Sequence, residues 1–193
     1  MHPFTPVLAV TTPLPTGADY TNKRPYHNRG WCFMEFHISS IVKDNELLWD
    51  LSLHTEGQAI SFGDCQELLK SSRKPFKSPE LVARELREGV LDSTIAFTAA
   101  ADVDVVVGLY QRGFVKAFET FRQTGGDQIY YAGLGWGSEE APILAEALKY
   151  AHEHCKATDK PPLLRLDGNK FTPEDKKMLK AAVPDESRIE LQL

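Results

Sequence analysis

With 193 residues, 27 of them acidic and 22 basic, the chain is long enough for one large domain, or one domain and an extension, without covalent staples. Its net charge of −5 argues against a duplex-binding surface, which needs clustered Lys and Arg to displace counterions. Three widely spaced cysteines, Cys32, Cys65 and Cys155, make no disulfide framework, and they suit a reducing compartment such as the cytoplasm or an organelle stroma. No window approaches the roughly 20 apolar residues of a membrane span, and Met1-His2-Pro3-Phe4 lacks the charged start of a secretory signal.

Val7-Leu8-Ala9-Val10 predicts a short buried strand. Thr12 to Asn28, rich in Pro, Gly, Asp and Asn, predicts a long loop of the kind that carries function. Trp31 to Val42 predicts a helix with Phe33, Phe36, Ile38 and Ile41 on a broad apolar face. Leu47 to Leu51 predicts a strand. Leu53 to Lys77 is irregular, with a helical turn at Asp64 to Leu69, and the basic run Ser71 to Lys77 reads as a solvated loop. Ser78-Pro79-Glu80 starts a helix with a capping Ser and a proline at the first position, and Gly89 stops it. Thr94 to Thr98 is extended. Asp102 to Arg122 is a long helix burying Val103, Val106, Val107, Tyr110, Phe114, Ala117, Phe118 and Phe121.

In the tail, Ile129 to Tyr131 and Leu163 to Leu166 predict strands, and Ile189 to Leu191 a last one. Ser138 to Cys155 predicts a helix with Ile143, Leu144, Ala147, Leu148 and Ala151 inward. Thr172-Pro173-Glu174-Asp175 starts another by cap and proline. Strands alternating with helices imply an α/β fold, a mostly parallel sheet flanked by helices. Ligands of such sheets lie beyond the carboxyl ends of the strands, the zone of the loop after Val10 and of the helix start at Trp31.

Trp31-Cys32-Phe33-Met34-Glu35-Phe36 resembles the Trp-Cys-Leu-x-Glu-Leu segment of plant-type TIR domains. The order of elements around it is similar too. The resemblance implies a TIR- or flavodoxin-like fold over residues 1–126, incomplete at its N-terminus because the family's first strand and helix would precede Val7. It also implies that Glu35 is the catalytic carboxylate of an NAD-cleaving site, stabilising an oxocarbenium-like centre as nicotinamide leaves. The competing reading packs Trp31 and Cys32 in the core and has Glu35 cap or pair locally.

A second resemblance, over most of residues 4–122, is to a set of large protist proteins. It is carried by Pro6-Val7, Leu14-Pro15, and Tyr26 with Arg29-Gly30-Trp31 and Glu35. Phe97-Thr98, Asp102 and Leu109-Tyr110 carry it further. It implies a shared scaffold and supplies no activity; Tyr26, Arg29 and Trp31 are the candidate binding residues beside Glu35. Leu163-x-x-Leu166-x-Gly168-Asn169 and the following helix resemble a ribonuclease-inhibitor-type leucine-rich repeat. Tyr131-x-x-Leu134 resembles a degenerate copy, so residues 127–193 form a repeat-like or plain βαβ extension packed on the first part or extending its sheet.

Other candidates are weaker. His152-Glu153-His154-Cys155 reads as a frayed helix end rather than a metal site, because His152 and His154 point to different faces. Cys32 with His27 or His37 is a conceivable nucleophile pair. Gly133-x-Gly135-x-Gly137 before a helix could bind an anion, with Glu139 and Glu140 opposing it. The expectation is a protein-interaction or scaffold subunit of a larger assembly, homo- or hetero-oligomeric, with no cofactor and no metal. Such a subunit would present an apolar sheet edge near Val7 to Val10. The alternative is an NAD-cleaving enzyme using Glu35.

Overall fold

The computed structural model describes residues 7–12, 17, 19, 23–43, 47–50, 52, 73–99, 101–121, 126–185 and 187–193. The elements are β1 (Val7–Ala9), a 3-10 turn (Tyr26–Asn28), α1 (Gly30–Val42), β2 (Leu48–Asp50), α2 (Pro79–Leu91), α3 (Asp102–Thr120), β3 (Gln128–Tyr130), α4 (Ala141–His154), β4 (Leu163–Arg165), α5 (Pro173–Ala182) and β5 (Glu190–Gln192). Every described strand pair is parallel, as the alternation of strands and helices requires. The class is α/β.

The strands form two sheets. β1 pairs with β2 across α1, with Val7 beside Leu48. β3, β4 and β5 pair in sequence order, with α4 and α5 as the crossovers. The tail thus builds a sheet of its own among the described residues and does not extend the first one. Beyond β1, Val10 is 57% exposed, while Ala9, Phe36 and Leu48 make a small apolar cluster between the first sheet and α1.

One larger core runs across residue 126. Phe76, Val82, Leu86, Val106, Tyr110, Phe114 and Phe118 pack with Ile129, Tyr131, Trp136, Leu144, Leu148 and Leu164. The inward positions expected of α3 divide here: Val106, Tyr110, Phe114, Phe118 and Phe121 are buried, whereas Val103, Val107 and Ala117 are only partly so. A side chain on Gly113 would sit 2.6 Å from Ile38, so the glycine lets α1 and α3 approach closely.

The basic run before α2 is solvated at Lys74 but not at Arg73. Arg73 is 2% exposed, and its Nη2 donates to the carbonyls of Ser40 (3.2 Å) and Lys43 (2.6 Å) at the carboxyl end of α1. A helix C-terminus carries unpaired carbonyls and partial negative charge, and the guanidinium meets both needs. The Tyr131 hydroxyl donates to the carbonyls of Ser40 and Ile41, and Arg73 lies over the Tyr131 ring at 4.9 Å. Trp136 Nε1 donates to the Arg73 carbonyl at 3.3 Å. The end of α1 is therefore tied to the start of the tail.

Gly89 does not stop α2, which continues to Leu91. A Cβ there would lie 2.8 Å from Ile95, so the glycine makes room for the returning chain. Ser78 caps α2, accepting from Leu81 N–H (3.0 Å) and donating to Glu146 of α4 (2.6 Å). Thr172 and Asp175 form a reciprocal capping box on α5. The helical turn expected at Asp64 to Leu69, and Cys65, lie outside the described residues.

Candidate functional site

The Arg29-to-Phe36 segment occupies the first two turns of α1. Arg29 forms a parallel bridge with Ala96, and Gly30 N–H donates to the Ala96 carbonyl at 3.0 Å. A Cβ on Gly30 would fall 2.0 Å from the Phe97 ring. Trp31 Nε1 donates to the Asp102 carboxylate at 3.1 Å, at the first residue of α3. Arg29-Gly30-Trp31 thus meets Ala96, Phe97 and Asp102 in turn. The two motifs that sequence placed some 70 residues apart form one clamp between the starts of α1 and α3.

The clamp corrects the core reading of its aromatic. Trp31 is 37% exposed and Cys32 half-buried. The Arg29 guanidinium is directed to the Arg24 carbonyl at 2.9 Å. Glu35 is exposed on α1 and has no hydrogen-bond or ion-pair partner among the described residues, so it neither caps nor pairs there.

Glu35 lies near Tyr26 and Cys32. Burial first, then the negative charge of Cys32, Glu35 and Asp50, pushes the Tyr26 hydroxyl up to about 12. Burial and Glu35 raise the Cys32 thiol as well, with Arg29 opposing. His27 is lowered, chiefly by burial. His37 is lowered to about 3 by burial, Lys77 and His27. The thiol is raised and both imidazoles are lowered, the reverse of the shifts that mark a thiolate–imidazolium pair. At the carboxyl ends of β1 and β2, Thr11 Oγ1 lies 2.6 Å from both Asp50 Oδ1 and Ser52 Oγ, and Ser52 N–H donates to the same carboxylate at 3.0 Å.

The tail presents a different surface. Register fixes which residues share a face of the β3-β4-β5 sheet. Ile129 and Leu164 are buried under the helices, and Leu191 is their half-buried neighbour on β5. The other face carries Gln128, Leu163 and Glu190 in one row and Tyr130, Arg165 and Gln192 in the next. These six are exposed or half-exposed, so no helix among the described residues covers this face. Arg165 lies over the Tyr130 ring at 5.1 Å. Its Nε and Nη2 donate to both carboxylate oxygens of Asp167, at 3.0 and 2.8 Å. The pairing holds Asp167 below the usual carboxylate range.

Sequence reasoning placed Tyr130 and Arg165 on strands without singling them out. The signal was polar Gln128 and Arg165 beside apolar Ile129 and Leu164 in strands too short to show a full alternation.

The two turns of the tail are built alike. Gly133 and Gly168 hold equivalent places with φ of +66° and +72°, a conformation that favours glycine. Asn169 donates to the carbonyls of Tyr131 (2.8 Å) and Leu166 (2.9 Å), and its Oδ1 accepts from Trp136 N–H (3.2 Å). The Gly133-to-Gly137 loop meets its own carboxylate, because Glu140 accepts from Gly137 N–H at 2.8 Å.

The end of α4 is pinned rather than frayed. Arg188 Nε donates to the Cys155 carbonyl at 2.9 Å, His154 stacks on Tyr150 at 4.0 Å, and His152 lies 3.6 Å from Asp185. Among the described residues no group of three or more His, Cys, Asp or Glu could hold a metal ion. No helix among them is long and apolar enough to cross a membrane. Comparison with family models, with curated proteins and with solved structures found no match to this chain.

Proposed function

We propose that the chain is a protein-interaction subunit that binds a partner through the open face of β3-β4-β5. One observation carries this reading: a parallel sheet with one face that no described helix covers, on which Tyr130, Arg165 and Asp167 are locked together. Parallel sheets are ordinarily covered on both faces. Tyr and Arg are the side chains that most often dominate interface energetics. Here Asp167 holds the arginine in place before any partner arrives, which lowers the entropy lost on binding.

In this reading the tail is a short leucine-rich-repeat-like extension. The equivalent glycines and the Asn169 bridge between turns support it. Solenoids of this kind bind along exposed faces of stacked repeats. The first part is a TIR-like domain that has become a scaffold, supported by the β1-α1-β2 crossover and the clamp at Arg29-Gly30-Trp31. The test is affinity capture from the native source by the wild-type chain and by Tyr130→Ala/Arg165→Ala. A partner held by the first and lost by the second, with unchanged thermal unfolding, is the expected result. Equal capture by both overturns the assignment of the face.

A second reading draws on another observation. Tyr26 lies near Glu35 and also near Asp50, the latter at the carboxyl end of β2 in the usual ligand zone of parallel strands. In it Glu35 is the carboxylate of an NAD-cleaving site, with Tyr26, Arg29 and Trp31 as binding residues. It ranks second because no described group orients Glu35, and Trp31 Nε1 and Arg29 Nε already donate elsewhere. Nicotinamide release from NAD that Glu35→Ala abolishes is its expected result, and none from the wild type removes it.

A further inference from the structure

The outer edge of β5 carries the next inference, which stands apart from the partner-binding reading. Toward β4, Glu190 N–H donates to the Pro162 carbonyl (3.0 Å), and the Gln192 carbonyl accepts from Leu166 N–H (2.7 Å). In a parallel ladder a residue turns its N–H and C=O to the same neighbour, and successive residues alternate. Leu191 therefore turns both groups outward, flanked by Ile189 and Leu193. No described strand lies on that side. The strand Glu190-Leu191-Gln192 also holds no Lys or Pro, the residues that commonly guard a sheet edge. Leu191 and Leu193 are only half-buried where they meet the end of the core.

We propose that this edge pairs with the same edge of a second copy of the chain, antiparallel, about a two-fold axis through Leu191. Three requirements select that register together. The outward residues 189, 191 and 193 must meet one another, which the axis at Leu191 achieves. The two Leu191 residues exchange N–H···O=C bonds, and each Leu193 N–H meets an Ile189 carbonyl. On the helix-covered side, Leu191 then stands against Leu191 and Ile189 against Leu193, so the half-buried leucines gain apolar neighbours. On the open side, Glu190 stands against Gln192 at both ends, a carboxylate facing an amide donor rather than its own kind. The contact is isologous and closes on itself. It joins the two sheets into one, with both Tyr130–Arg165 pairs on a continuous face.

Size-exclusion chromatography with light scattering on the full chain, from micromolar to millimolar concentration, tests the pairing. The wild type is expected to reach the mass of a dimer. Gln192→Glu sets carboxylates opposite one another at both ends while leaving the exposed side chain harmless to the monomer, whose thermal unfolding is the control. It is expected to weaken the dimer about tenfold. Glu190→Lys/Gln192→Glu turns both contacts into attractive pairs and is expected to restore it. A monomer throughout the range, a dimer indifferent to Gln192→Glu, a dimer that the double variant fails to restore, or open-ended growth overturns the proposal.

Discussion

At Gly30 a single hydrogen does structural work that no larger group can do, because the Phe97 ring lies where a Cβ would be. Gly30→Ala is expected to destabilise the chain by about 1–3 kcal/mol through overpacking. Phe97→Ala in the same chain should recover part of that loss, and chemical denaturation of the two single variants and the double would show the coupling.

His37 is the other instructive residue. It is buried between the Phe33 and Phe36 rings, with its Nδ1 unpartnered, and its pKa falls from 6.5 to about 3. Above pH 6.5 neither the folded nor the unfolded chain protonates it, so it has no effect there. Below that, the unfolded chain takes up a proton that the fold refuses, and stability falls as pH drops toward about 3. Between pH 7 and pH 5 the loss from this group is about 2 kcal/mol. In His37→Gln the difference between urea midpoints at the two pH values should shrink accordingly, and an unchanged difference would contradict this.

Sequence marked Arg29, Gly30, Trp31 and Glu35 as the informative residues. It did not reveal that Gly30 and Trp31 answer Phe97 and Asp102, because a contact over that separation leaves no local period to read.

Among the elements, the carboxyl end of α1 shows how a helix terminus joins distant segments. Its carbonyls at Ser40, Ile41 and Lys43 are met by Arg73 and by Tyr131. Arg73→Ala removes a buried charged donor and is expected to cost about 3 kcal/mol in chemical denaturation. Arg73→Lys should recover little, since an ammonium cannot reproduce the planar guanidinium that lies over the Tyr131 ring while its Nη2 meets both carbonyls. A cost within 0.5 kcal/mol, the range usual for surface residues, would restore the solvated-loop reading of this run. The helices themselves were largely legible. Ser78-Pro79 and Thr172-Pro173 mark starts that the structure keeps, because caps are local chemistry. Gly89 misled for the opposite reason: its role is set by Ile95 across space and not by the helix it sits in.

At the scale of the molecule, the alternation of strands and helices was enough to give parallel pairing and the α/β class. It did not give the division into two sheets, since strand neighbours are chosen by tertiary packing. Nor did it single out the open face of the second sheet, because three-residue strands such as Leu163-Leu164-Arg165 carry too little alternation to mark it. One core joins α1, α2 and α3 to the second sheet and its helices, so a variant that loosens Arg73 or Tyr131 should weaken all of these elements in a single unfolding transition.

A partner bound on this open face would shield its strands from solvent. Hydrogen–deuterium exchange of the chain alone and bound to the partner it captures tests this most directly. Protection is predicted at Gln128–Tyr130 and across Leu163–Asp167, with α1 unchanged. Protection confined to Tyr26–Asn28 and the start of α1, with the sheet unaffected, would contradict the account.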